Sequence, residues 1–433
     1  MKKIYVCKSF PDSSGLEFLL TNFGGSMFRK LFIFSLIVLM VSCTFAQDGK
    51  NLRAGGYARI YSLGYNPYVV DIDNIKTNPA YLTEYSNVLW GDIGATGQSS
   101  SDGVGQFAGF SFRVNKQISV GALLTKKDFN TTSISKLDPY GIIGQVNQAG
   151  AQIVPLDNNL EFMGSFNLDN MILGLGIAYA SSTNESKPAS GSGDKNNASQ
   201  FGINAGLILN LSKAMHFDAS LSFFTPSATY EPASMPGSSK IDASQTFLMI
   251  DARFFAQLNS KLSIVPLVKF ASVTGKVEAG GKSTDLPSLT EIGIGFGINY
   301  KVGDVLIAGG PSLGIESSTT PSTSSAPELK NSKLVFPNWN LGVEWYATEW
   351  LIGRLGYIAH TEKITSESAA STTTKNEFTY TGYSNADVTL GIGLRFGGFA
   401  LDAVVNDDVL RQGLALIGGS TPTLAYISAS YAF

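Results

Sequence analysis

The stretch that decides the fold is Thr423-Leu-Ala-Tyr-Ile-Ser-Ala-Ser-Tyr-Ala-Phe433. From Ala425 onward every second side chain is apolar or aromatic (Ala425, Ile427, Ala429, Tyr431, Phe433), and Tyr426, Ser428, Ser430 and Ala432 alternate with them. A period of two belongs to an extended strand, whose successive side chains point to opposite faces. This strand has one apolar face and one more polar face. The same alternation recurs along most of the chain.

Working backward, short polar turns flanked by such strands occur seven times, at Asn115-Lys116, Asp169-Asn170, Ser212-Lys213, Asn259-Ser260, Gly303-Asp304, Thr348-Glu349 and Gly397-Gly398. They lie about 45 residues apart, the length of one hairpin plus one longer connection. A regular array of this kind marks a barrel or a repeat. The connections on the opposite rim, Thr183–Ala198, Glu231–Ala243, Val277–Pro287, Glu316–Asn331 and Thr361–Gly382, are rich in Ser, Thr, Gly, Pro and Lys and read as solvated loops. Asn130–Asp157 is longer and more apolar, with Tyr140, Ile142, Ile143, Val146 and Ile153, and is expected to fold over or into the barrel. Asn87–Thr96, two strands per turn and Thr423–Phe433 give about 16 strands, or 14 if irregular pieces are excluded. The expected fold is all-β, a closed antiparallel transmembrane β-barrel of about 14–16 strands. An even count leaves both termini on one side of the membrane, expected to be the periplasm.

Strand parity assigns the two faces. In Thr290–Lys301, Ile292, Ile294, Phe296, Ile298 and Tyr300 share one face, and Glu291, Asn299 and Lys301 the other with three glycines. The first set must face lipid, because a charge facing lipid near the midplane costs roughly 2–4 kcal/mol. The same rule sends Val388, Leu390, Ile392, Leu394, Phe396, Trp339, Leu341, Val343 and Trp345 outward. It turns Asp251, Arg253, Glu291, Glu344, Arg354, Arg395 and Asp402 into the lumen. These charges either line a permeation path or ligand site, or pair with one another and hold the wall rigid, as buried charges normally do. Their mixed signs argue against strong ion selectivity. Pro266, in Leu262–Phe270, cannot donate to a ladder and is expected to mark a kink, bulge or break in pairing. The four tryptophans, Trp90, Trp339, Trp345 and Trp350, are expected in an interfacial aromatic belt.

The start of the chain reads as a targeting segment. Arg29-Lys30, the apolar run Leu31 to Val41 and the small residues up to Ala46 describe a signal peptide preceded by an upstream extension, residues 1–46 in all. The alternative is lipidation at Cys43. Both cysteines, Cys7 and Cys43, fall in this leader, so the mature chain is expected to have no disulfide and no thiolate chemistry. Without the leader, 26 basic and 32 acidic residues remain, a mild acidity that excludes a nucleic-acid partner. Only 15% of residues are charged, below the roughly 25% of soluble domains.

Residues 47–86 alternate poorly and carry Gly and Pro breakers, so they are not expected to supply a wall strand. Here the Gly- and Arg-rich start, the acidic patch Asp71-Ile-Asp73 and Asn78-Pro79-Ala80 just before the first strand resemble the FadL-type long-chain fatty-acid channels. The PorV-like proteins of type IX secretion share that plan. A closing strand ending on an aromatic residue is likewise similar to outer-membrane barrels, where it serves as an assembly signal. The resemblance implies a bacterial outer-membrane location. It also implies that residues 47–86 form a short periplasmic plug, with Asn78, Pro79 and Ala80 as its motif, and that 87–433 form the barrel. Two differences stand out: family barrels have 14 strands, and Tyr61-Ser-Leu-Gly-Tyr-Asn-Pro67 replaces the usual Gly-Met-Gly-Gly-Ala run.

The glycine patterns at Gly293–Gly297 and Gly174–Gly176 have a period of two within strands and do not cradle phosphate. His216 and His360 lie far apart, so no metal site, cofactor or catalytic triad is expected, and the chain does not read as an enzyme. Two functions follow from the resemblance. The first is passive transport of hydrophobic or amphipathic small molecules through a plugged barrel in outer-membrane lipid. The alternative is a PorV-like binding or scaffold role for a secreted protein partner.

Overall fold

The computed structural model describes residues 55–433 except 95–105, 127–128, 130, 190, 192, 234–239, 323–325, 372–373, 384–385 and 407–422. The leader expected at 1–46, with Cys7 and Cys43, therefore lies outside the described residues. The sheet is antiparallel throughout and closes on itself. β1 (Val88–Gly94) pairs with both β2 (Phe107–Arg113) and β18 (Leu424–Ala432). Between them run β3 (Ile118–Lys126), β4 (Asn158–Asn167), β5 (Met171–Glu185), β6 (Lys195–Ser212), β7 (Met215–Glu231), β8 (Ile241–Gln257) and β9 (Leu262–Ala279). The far side carries β10 (Lys282–Asp285), β11 (Ser288–Val302), β12 (Val305–Thr320), β13 (Leu329–Tyr346), β14 (Leu351–Ser371), β15 (Thr374–Tyr383), β16 (Asp387–Phe396) and β17 (Phe399–Val405). β10 and β11 pair with successive parts of β9, and β15 and β16 with successive parts of β14. The eighteen segments thus fill sixteen positions in the wall.

All seven expected turns join consecutive strands, and the expected parity holds around the ring. Ile294 is 52% exposed, Val388 51% and Trp345 55%, whereas Glu344, Arg354 and Asp402 are buried on the inner face. An outer surface of this kind is stable only against hydrocarbon, and the pairing of β1 with β18 closes the ring. Among the described residues, no helix is long and apolar enough to cross a membrane.

Two expectations need correction, and a third holds in part. Of the five polar stretches read as loops, Val277–Pro287 and Thr361–Gly382 are largely strand, and the other three begin and end in strand: β14 runs 21 residues and β13 18, where roughly 9–11 cross a bilayer. Beyond the hydrocarbon both faces of a hairpin meet water, so Ser and Thr serve there and the apolar alternation that flags a strand disappears. Trp90 is 5% exposed and points inward, edge-on to Phe107, because its parity matches the buried Val88 and Asp92. Pro266 shifts no register, but it does mark a break in pairing, one of the expected alternatives. It keeps register with Phe296 of β11, and the β8–β9 ladder skips the pairs at 254–255 and resumes in the same register. The register shifts on this side of the wall fall instead at 335–338 of β13, around Phe336 and Pro337.

Candidate functional site

Residues 57–85 lie against the inward faces of the wall. α1 (Tyr57–Ser62) and two short 3-10 turns, Ile72–Lys76 and Pro79–Leu82, order them. The Asn78-Pro79-Ala80 motif is a helix start: the Asn78 side chain accepts from the Ala80 N–H and Pro79 occupies the first turn, where its missing N–H costs nothing. Asp71 caps the preceding turn in a reciprocal capping box with Asn74.

Wall glycines receive this segment. A Cβ at Gly174 or Gly206 would overlap Ala80 or Asn78, and one at Gly342 or Gly356 would overlap Leu63 or Gly64. Polar side chains then fasten its backbone. Asn78 donates to the carbonyls of Leu207 (3.3 Å) and Ala219 (3.1 Å), Asn340 to Gly64 (2.8 Å) and Asn299 to Tyr68 (2.8 Å). The Tyr68 ring lies over Gly295 and Gly297, and its hydroxyl donates to the Pro311 carbonyl at 2.9 Å. That carbonyl borders the 296–297 interval where the β11–β12 ladder lacks pairs, so the tyrosine hydroxyl stands in for a missing ladder donor. Burial pushes this hydroxyl up to about 12, against the effect of a backbone hydrogen bond with Phe296.

Ion pairs complete the attachment. Arg59 bridges Asp71 (2.8 Å) and Glu344 (2.7 Å), and Glu344 accepts from Arg354 (2.7 Å). Arg354 continues to Asp402 (2.7 Å), which also holds Arg395 at 3.0 Å. Burial works against the Arg59 charge, yet Glu344 and Asp71 hold its pKa well above the usual value. Lys76 is clasped by Asp73 and by Asp92 (3.1 Å) with its ammonium 4.1 Å from the centre of the Phe107 ring. Burial disfavours that ammonium, but Asp73 and Asp92 together raise its pKa. Farther round the wall, Arg253 binds Asp218 (2.6 Å) and the carbonyls of Pro67 (3.1 Å) and Val69 (3.0 Å), and Tyr81 donates to Asp218.

A second inward element lies toward the long-loop rim. Ser133–Lys136 is tied down by Asn159 and Gln200, which donate to the Ile134 carbonyl, and by Ser135, which donates to Glu161. α2 (Ile142–Gln148) follows and packs Ile142, Ile143 and Val146 on the inward alanines Ala180, Ala198, Ala228 and Ala243. Residues 131–157 thus fold into the barrel, as their apolar content suggests. One inward row, Gly176 and Asn204, separates the wall positions held by the two elements. A cavity of about 430 Å³ opens between them, lined by Asn66, Asn74 and Asn78, by Thr131 and Thr132, and by wall residues including Met249 and Asp251.

Of the seven charges assigned to the lumen by parity, Glu344, Arg354, Arg395 and Asp402 form one connected chain. Arg253 and Asp251 find other partners, Asp251 pairing with Lys269 at 3.7 Å, and Glu291 has no ion pair among the described residues. Sequence reasoning missed Arg59, Asp71, Lys76 and Tyr81, which lie in a segment without periodicity. It also missed Asp92 and Asp218, whose inward parity in β1 and β7 was readable. Among the described residues, no three His, Cys, Asp or Glu side chains are grouped to hold a metal ion.

Fold and lumen together define a closed transmembrane β-barrel with its N-terminal segment fastened to the inner wall. No protein-family profile matches the chain, and no curated protein is similar to it. Among solved structures it is similar to the ferric preacinetobactin receptor BauA from Acinetobacter baumannii at 12% identity and a TM-score of 0.42, over 73% of this chain. The chain spans about half of that receptor, 53%. It is also similar to a Pseudomonas aeruginosa FadL homologue, with 13% identity, TM-score 0.35, and 86% and 96% of the two chains covered. For the Pseudomonas putida toluene transporter TodX the values are 9%, 0.33, and 88% and 99%.

Proposed function

We propose that the chain is a bacterial outer-membrane channel for passive uptake of hydrophobic or amphipathic small molecules. Residues 47–86 would act as its plug, and both termini would be periplasmic. The observation that carries this reading is the cavity between two inward elements: a wall built only for rigidity has no need of a chamber. The neighbours named as a FadL homologue and a toluene transporter accord with the proposal. Passage requires the plug to move, and Arg59 is its most connected anchor. In planar bilayers the wild-type protein is expected to conduct rarely, and Arg59→Gln to conduct in long openings. Closed traces for both proteins would overturn the channel reading.

One observation favours the alternative of a scaffold for a secreted protein partner. The β13–β14 hairpin, extended by β15, continues well past the apolar belt and offers polar strands outside the membrane. Shortening it by eight residues on each arm leaves conductance intact under the channel reading and abolishes partner capture under the alternative.

A further inference from the structure

The lipid-facing wall carries a recess. By register, Ile298 of β11, Gly309 of β12, Leu341 of β13 and Tyr357 of β14 stand in one row. Ile307, Val343 and Leu355 stand in the next row toward the short turns. All have outward parity, and Gly309 alone lacks a side chain. The gap it leaves is an apolar recess of about 260 Å³. Its large side chains are these outward ones, with Ile298, Ile307, Leu341 and Leu355 exposed, so it opens toward hydrocarbon.

Backbone geometry keeps this space open. Gly309 has a φ of 138°, a conformation that side chains disfavour, and a Cβ there would stand 2.1 Å from the Asn340 carbonyl oxygen. The floor of the recess is one backbone thick. Gly342 and Gly356 line it from outside. From within, the segment 57–85 presses on the same two glycines: a Cβ at Gly342 would stand 2.7 Å from the Leu63 carbonyl oxygen, and one at Gly356 2.2 Å from the Gly64 nitrogen. Asn340 holds the Gly64 carbonyl against this floor at 2.8 Å.

We propose that the recess binds one acyl chain of a membrane phospholipid, and that the bound chain braces Leu63 and Gly64 through the glycine floor. The site is independent of what crosses the lumen. Its occupant follows from its surroundings, because the recess is continuous with an outward apolar surface that hydrocarbon covers. Among the described residues, no charged side chain lines it. A dry apolar cavity of about 150 Å³ already suffices to bind benzene. A chain lying in a recess gains dispersion contacts on several sides, whereas on flat wall it gains them on one. The brace follows from close packing, which transmits displacement: an occupied recess stops the floor from yielding outward under Leu63 and Gly64. By linkage, a seated segment in turn tightens the lipid.

Ile307→Trp and Leu355→Trp each crowd the recess from one rim without adding charge, and Leu175→Trp makes the same kind of change on the exposed outer face of β5. Delipidated full-length protein in detergent is titrated with dioleoylphosphatidylethanolamine and read by native mass spectrometry. Wild type and Leu175→Trp should retain one tightly held lipid, and both recess variants should bind it at least about tenfold more weakly. In dilute urea the same lipid should slow proteolytic cutting near Tyr57–Tyr65 in wild type and Leu175→Trp, but not in the recess variants. Compact gel mobility before heating shows that each variant has formed its barrel. Equal lipid retention by all four proteins would overturn the site, and retention without protection would overturn the brace. A lipid-free dimer that the recess variants dissolve would also overturn the proposal, because it assigns the recess to a second copy of the chain.

Discussion

Arg59 shows how much one side chain can hold in a lumen. Its guanidinium joins Asp71 of its own segment to Glu344 of β13, and through Glu344 to Arg354, Asp402 and Arg395. Breaking a buried pair by removing one member costs about 3–5 kcal/mol, because the remaining charge is stranded. In Arg59→Gln the loss should fall on the inner segment alone, since Glu344 keeps Arg354. Limited proteolysis should then cut near Tyr57–Tyr65 while the barrel retains its heat-modifiable mobility on gels. Gly297→Val approaches the same segment from the wall, because its side chain takes the space of the Tyr68 ring. It should expose Tyr68 and Asn66 together, seen as faster amide exchange across Pro67–Asp71. The wall half of these contacts was legible: parity alone places Glu344, Arg354 and Asp402 inside. The half from the inner segment was not, because an irregular chain has no period from which a direction can be read.

Strands divide into a part that hydrocarbon disciplines and a part that it does not. Within the belt, a charge on the wrong face is expensive, so alternation is strict and register can be read residue by residue. Ile294→Arg should lower the folding free energy into vesicles by about 2–4 kcal/mol, while the adjacent Gly293→Ser, on the inner face, should leave it nearly unchanged. Urea titration of vesicle-inserted protein measures both. Above the belt the pattern dissolves, and there the sequence reading mistook the ends of β5, β9 and β12–β14 for loops. Lys76 offers an element-scale test of a different kind. Its pKa is raised in the fold, so the clasp with Asp73 and Asp92 is fully present below the ordinary lysine value of about 10.4 and is lost only as pH rises through the higher folded value. Protease sensitivity of 72–85 should therefore stay flat from neutrality to about pH 10 and climb beyond it.

Taken as a whole, the molecule is a ring of sixteen positions whose first and last strands meet in seven register pairs, Val88–Ala432 to Gly94–Tyr426. The even count was legible because every hairpin announces itself by its turn. The assignment of β10 and β15 to positions shared with β11 and β16 was not, because a strand broken in two looks like two strands. Closure predicts all-or-none behaviour. A chain lacking 424–433 leaves β1 and β17 with open edges and should lose the compact, unheated gel mobility entirely rather than in part.

The inner segment leads into β1 within three residues, as Tyr85 is followed by Ser86, Asn87 and then Val88. What lies against the inner wall is therefore spliced to the seam that shuts the ring. Any tug that draws residues 57–85 out toward the short-turn side arrives first at Val88 and its partner Ala432, peeling the junction one rung at a time. The inner segment and the clasp of the hoop share a single load path. Extraction of the segment risks springing the cylinder, whereas a local shift that slackens Arg59 and leaves Asn87 in place does not.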